Sequence, residues 1–88
     1  GREMKLTAMA QEVDLRGMDA VEAICVLDNY LDSAMRGNLH SVRIIHGKGT
    51  GVLRNAVHQS LRKNKFIKTF RLGVYGEGED GVTIAEFK

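Results

Sequence analysis

The stretch SVRIIHGKGTGVL, Ser41 to Leu53, joins two kinds of chain. Val42, Ile44 and Ile45 are β-branched and suit a strand. His46 ends that run, and three glycines follow within five residues: Gly47, Gly49 and Gly51. Beyond them Leu53, Ala56, Val57 and Leu61 fall at helical spacing. The segment therefore predicts strand, glycine loop and helix in immediate succession, a unit from which α/β sheets are built. Each glycine loses more backbone freedom on folding than any other residue. A plain connection needs one at most, so three imply that something approaches this backbone closely.

Upstream, Glu12-Val-Asp-Leu-Arg16 alternates, with Val13 and Leu15 on one face and Glu12, Asp14 and Arg16 on the other. It reads as a half-buried strand closed by Gly17. Asp19 and Glu22 form a capping pair, with Met18 placed to staple onto Ala23. The helix that follows sets Ala20, Ala23, Ile24, Leu27, Tyr30, Leu31 and Ala34 on one face. Arg36 suits the negative end of the dipole, and Gly37 is expected as a left-handed stop. Cys25 fits a small hydrophobe on the helix flank. Downstream, Asn64 is placed to cap the second helix, residues 66–74 read as a third strand and residues 82–87 as a fourth. The order βαβαββ predicts a two-layer α/β sandwich, a mixed four-stranded sheet with both helices on one face and right-handed crossovers. The last two strands should form a hairpin antiparallel to the rest. Residues 1–11 lack a period and read as an arm or linker ahead of a domain spanning 12–88.

Eighty-eight residues make one domain. One cysteine rules out a disulfide framework and a cysteine-rich zinc site. No apolar run reaches the length of a membrane span, so no membrane partner is expected. The N-terminus lacks a signal segment, which points to the cytoplasm. The chain starts with Gly1, which suggests an excised piece. The net charge of +2 conceals a segregation: residues 33–76 contain no Asp or Glu and nine Lys or Arg, while both flanks are net acidic. Such segregation is the footprint of a polyanion partner.

The glycine loop lies between a strand end and a helix start, where free N–H groups and the dipole favour an anion. Gly47, Gly49 and Gly51 leave the backbone open, Lys48 adds charge, and Thr50 either caps the helix or donates to an oxygen. This is not a Walker loop, whose spacing differs, so a nucleoside triphosphate is disfavoured. The bland alternative is a glycine-rich turn with a capping threonine. If the first two strands are parallel neighbours, Arg16 and His46 meet over one edge. Histidine moves protons near neutral pH, and arginine grips phosphate with two bonds. Strict alternation, however, puts Asp14 opposite Leu15 and His46 in phase with Val42 and Ile44, so only irregularity at a strand end brings both to one pocket. Asp14 otherwise anchors Arg16 or backbone. Arg43, Arg54 and Arg62 are expected along the path of a phosphate backbone. His40 and His58 read as incidental, His58 with a phosphate in reach. Glu77, Glu79 and Asp80 read as a hairpin turn rather than a cation site, and no metal site is assigned.

The runs VDLRGM at 13–18, IIHGKGTG at 44–51 and FRLGVYGEGEDGVT at 70–83 closely resemble the small MutS-related (Smr) domain. Arg16, where many stand-alone members carry histidine, resembles the C-terminal domain of MutS-two-type proteins, bacterial MutS paralogues with an ATPase core. The resemblance implies a fold similar to the C-terminal domain of translation initiation factor three. It also implies binding of double-stranded or branched DNA, and nicking by a DNA endonuclease of little sequence specificity. Suppression of recombination, and for some members collided ribosomes with RNA as partner, belong to the full-length proteins. So do ATP binding and oligomerisation. Matched by position, Asp14, Arg16 and His46 are the candidate catalytic residues, and Gly47, Lys48, Gly49 and Thr50 complete the loop motif. Magnesium or manganese is a candidate cofactor for cleavage. The rival reading is a nucleic-acid or ribosome-docking module without chemistry.

Overall fold

The computed structural model describes residues 10–76 and 78–88. The expected arm falls largely, and Glu77 wholly, outside them. Four strands and two long helices follow the expected order: β1 Glu12–Asp14, α1 Ala20–Arg36, β2 Ser41–Ile45, α2 Val52–Lys63, β3 Ile67–Leu72 and β4 Val82–Phe87, with a short 3-10 turn at Glu79–Gly81 before β4. The sheet order is β1-β2-β4-β3. β1 and β2 are parallel, and β4 is antiparallel to both β2 and β3. The expected β3–β4 hairpin forms, but only β4 runs against the other three. β3 returns parallel to β2 because α2 makes a second crossover, and β4 then fills the gap between them. Two crossovers of one hand keep both helices on one face.

The core lies between that face and the helices. Leu27 and Leu31 of α1, Val57 and Leu61 of α2, and Leu15, Ile44 and Ala85 from the sheet side are buried in one cluster. In β2, Val42 and Ile44 point inward and Arg43 outward. Arg43 pairs across the helix-free face with Glu12, its register partner, at 3.3 Å.

The helix ends show why the chain turns where it does. Asp19 Oδ1 accepts the Glu22 N–H at 2.9 Å, the expected N-cap of α1. At the other end Gly37 has φ −82°, and Asn38 takes the left-handed position at φ 65°. Leu39 N–H then reaches Ala34 O and Asn38 N–H reaches Met35 O, a Schellman closure. The expected glycine stop is therefore an asparagine stop one residue later. α2 begins at Gly51, φ 91°, with no side-chain cap. Thr50 does not cap the helix, because the loop turns through a left-handed residue that keeps its hydroxyl outside. Asn64 Oδ1 accepts the Phe66 N–H at 2.8 Å and closes the far end. No helix among the described residues is long and apolar enough to cross a membrane.

Candidate functional site

The parallel pairing of β1 and β2 sets their C-terminal ends side by side, with Asp14 opposite Ile45. A cleft of about 510 Å³ opens there. Arg16, Gly17 and Met18 form one wall, and His46, Gly47, Gly49, Thr50 and Gly51 the other, with Val52, Leu53 and Arg54 of α2 behind. This is the strand edge at which open α/β sheets take their ligands. A second groove of about 450 Å³ runs between α1 and α2 past Asp28, Ser60 and Lys63, away from the glycine loop.

Arg16 and His46 thus meet as expected, while Asp14 stays off the cleft lining. Its side chain leaves the other face of β1, and Arg16 bends back to it. Arg16 Nη2 and Nε donate to Asp14 Oδ2 and Oδ1 at 2.7 and 2.9 Å, and the Arg16 N–H adds a bond of 3.0 Å. These bonds hold the Asp14 carboxyl down at about pKa 2 and raise that of Arg16. Asp14 therefore orients Arg16. The guanidinium remains more than half exposed, and its stem passes over Gly47, where a Cβ would come within 3.3 Å of Arg16 Cγ. Gly47, with φ 84°, is required both by its backbone and by Arg16.

Gly49 is different. A Cβ there would meet nothing within 4 Å, so the chain's own packing does not demand glycine. Among the described residues no backbone carbonyl receives the N–H of Lys48, Gly49 or Thr50. The first N–H groups of α2 are free of helical partners by geometry. Lys48 turns aside, with Nζ 3.4 Å from Glu79 Oε1 and 3.6 Å from Asp80 Oδ1. That pairing raises its pKa, the Glu79 hydrogen bond most strongly. The acidic turn thus holds the loop lysine. Among the described residues no three His, Cys, Asp or Glu are grouped to hold a metal.

His46 is buried, and both ring nitrogens are engaged. Nδ1 lies 2.9 Å from Gly47 O and Nε2 lies 2.8 Å from Thr83 Oγ1. His58 reaches the same hydroxyl through Nε2 at 2.8 Å. The two rings stand edge to face, 6.1 Å apart, and His58 packs on Phe70 at 5.0 Å. Burial lowers the pKa of both. His58 is not the incidental surface residue expected from its helix flank, since α2 rolls it toward the sheet. Thr83 was not singled out. A signal existed: in VTIAEF it occupies the inward row with Ala85 and Phe87, and a buried hydroxyl needs partners.

Of the residues expected to follow a phosphate backbone, Arg54 lines the cleft. Arg62 lies over the Phe70 ring, 5.8 Å from its centre. Arg43 belongs to the opposite sheet face and is not brought to the cleft.

An open mixed sheet with two helices and a cationic, glycine-walled cleft at its strand ends defines a two-layer α/β domain. The chain belongs to the Smr domain family, whose profile matches residues 13–88. It is 54% identical over 85 residues to Endonuclease MutS2 of Clostridium acetobutylicum, and 54% identical over 89 residues to that of Clostridium beijerinckii. These matches cover 97% and 99% of this chain but 11% of each relative, so the chain spans about a tenth of their length. The crystal structure of the Smr domain of Thermus thermophilus MutS2 superposes with a TM-score of 0.87 at 40% identity, covering 90% of this chain and 99% of that one. YdaL, a stand-alone small MutS-related protein from Escherichia coli, shares the fold, with a TM-score of 0.85 at 19% identity over 89% of this chain and 64% of that one.

Proposed function

We propose that this domain grips nucleic acid by its sugar–phosphate backbone and nicks DNA with little sequence preference. One observation carries the reading: Arg16, Arg54 and the unpaired amides of the glycine loop converge on one open cleft. Arg16, steadied by Asp14, takes a phosphate with two bonds and stabilises charge that builds on it during cleavage. Lys48 joins when the phosphate draws it from Glu79 and Asp80. His46, on the cleft wall, serves as acid or base. No element in the cleft is shaped to read bases, so contacts fall on the backbone. The name Endonuclease MutS2 of the curated relatives supports the chemistry. In a longer MutS-type protein the same surface would serve suppression of recombination on branched or double-stranded DNA, or the handling of collided ribosomes through RNA. Oligomerisation and ATP use would rest with the rest of that protein.

The engagement of both His46 nitrogens favours a second reading, a docking module that binds nucleic acid without cutting it. Supercoiled plasmid separates the two. Incubated with the domain in magnesium, in manganese and in chelator, it should convert to nicked circles. Arg16→Ala should lower the rate by about 100-fold, the scale of a lost transition-state donor, and His46→Ala should lower it far more than it weakens binding. A wild-type domain that binds plasmid but never nicks it leaves the docking reading standing.

A further inference from the structure

With the buried His46 ring neutral, the bonds around it have one consistent proton assignment. A carbonyl oxygen only accepts, so the 2.9 Å contact with Gly47 O makes His46 Nδ1 the donor. Burial disfavours the charged ring, so Nε2 is bare and must accept. Its partner at 2.8 Å is the Thr83 hydroxyl, which spends its one proton there. The same oxygen must then accept from His58 Nε2. A cationic His46 would donate from both ring nitrogens and turn the Thr83 proton onto a bare His58 Nε2, at the cost of placing a charge on a ring only 4% exposed. The chain therefore runs His58 to Thr83 to His46 to Gly47. It holds His46 in the Nδ1–H form, whereas free neutral histidine favours Nε2–H.

This assignment reaches the cleft through one peptide. All peptides described are trans, and in a planar trans peptide the C=O and N–H point in opposite directions. Pinning the Gly47 carbonyl onto His46 therefore turns the Lys48 N–H away from the buried ring. That amide is one of those no backbone carbonyl receives. With the other tautomer, a bare Nδ1 would face the carbonyl oxygen, and repulsion would favour the flipped peptide with its N–H turned inward.

We infer that Thr83 is a positioning residue: by accepting from His58 and donating to His46 it holds the neutral His46 ring with its Nδ1–H on the Gly47 carbonyl, and so holds the Gly47–Lys48 peptide with its N–H presented to a phosphate. The structural half stands alone, and the phosphate half rests on the function proposed above. Thr83 touches no reacting atom and acts through His46.

Long-range proton–nitrogen NMR of the histidine rings tests it in the 88-residue chain. His46 should show a protonated Nδ1 and a bare Nε2, and His58 the reverse. A wild-type His46 protonated at Nε2 with a bare Nδ1 overturns the inference outright. Thr83→Ser keeps the hydroxyl and should keep both tautomers. Thr83→Val has nearly the same shape without the hydroxyl; it leaves His46 Nε2 buried without a donor, and should loosen the Nδ1–H bond to Gly47, seen as faster exchange of that ring proton. Its affinity for a 12-nucleotide single strand should fall about fivefold, the worth of one hydrogen bond, with Thr83→Ser retaining wild-type affinity. A ring-proton exchange rate or an affinity unchanged in the valine variant overturns the positioning role. If that variant does not fold, the wild-type and serine spectra decide. If the wild type binds no oligonucleotide, the proposed function fails, and inorganic phosphate becomes the probe: a shift of the Lys48 amide on titration supports the presented N–H, and no shift overturns it.

Discussion

At the scale of single residues, the site sets ionisation states that differ from those of free side chains. Asp14 is held ionised by the bonds from Arg16, so its carboxyl should titrate at about pH 2 by carbon NMR. Arg16→Ala should return it to the ordinary carboxylate range near 4, and a titration unmoved by that change would contradict the pairing. Buried His46 and half-buried His58 act in the opposite pH region. Their folded pKa values lie below the unfolded value near 6.5, so below that pH the unfolded chain binds more protons than the folded one. The histidine contribution is complete above pH 6.5 and is lost as pH falls toward the folded values. The melting temperature should therefore drop between pH 7.5 and pH 5, and His58→Gln should flatten part of that slope. An unchanged melting temperature across this interval would argue against neutral rings.

The elements differ in how they stop and start, and each end has its own cost. α1 closes through Asn38 at φ 65°, a position that asparagine tolerates and β-branched residues do not. Asn38→Val should destabilise the fold by about 1–2 kcal/mol, the strain of a left-handed side chain, while Asn38→Gly should be close to neutral. Urea unfolding of the two variants measures the difference, and equal midpoints would mean that the α1 closure is not strained. α2 makes the contrary choice. It starts without a side-chain cap, from a glycine at φ 91°, and so leaves its first N–H groups available. That local sacrifice sits at the cleft, where an anion can supply the missing acceptor.

For the molecule as a whole, the sheet divides the basic residues into those that share the cleft and those that do not. Arg54 lies behind the glycine loop, whereas Arg43 is paired with Glu12 on the helix-free face. Binding of duplex DNA should weaken with salt, and Arg54→Ala should reduce the slope of log K against log salt by about one. Arg43→Ala should leave that slope unchanged. Equal effects from the two would mean that nucleic acid crosses both faces, contrary to a single cleft. The acidic turn belongs to the same division. Glu79 and Asp80 hold Lys48 at the rim, so an approaching phosphate competes with them for that charge.

The element order, the strand and helix types and the glycine loop were all legible in the sequence, because they rest on periods of two and 3.6 and on local capping chemistry. Segregated charge was likewise legible, as an acid-free run of nine cations between two net acidic flanks. Which residues meet was another matter. Alternation alone separated Asp14 from His46, and the structure keeps them apart: Arg16 spans the gap by folding back on Asp14 while lining the cleft. The insertion of β4 between β2 and β3 brings Thr83, nearly forty residues along the chain, beneath His46, and α2 turns His58 onto the same hydroxyl. No local pattern encodes that meeting. Strand order and helix rotation are settled by burying one shared apolar face, and only that long-range packing decides which polar groups are left to satisfy one another inside it.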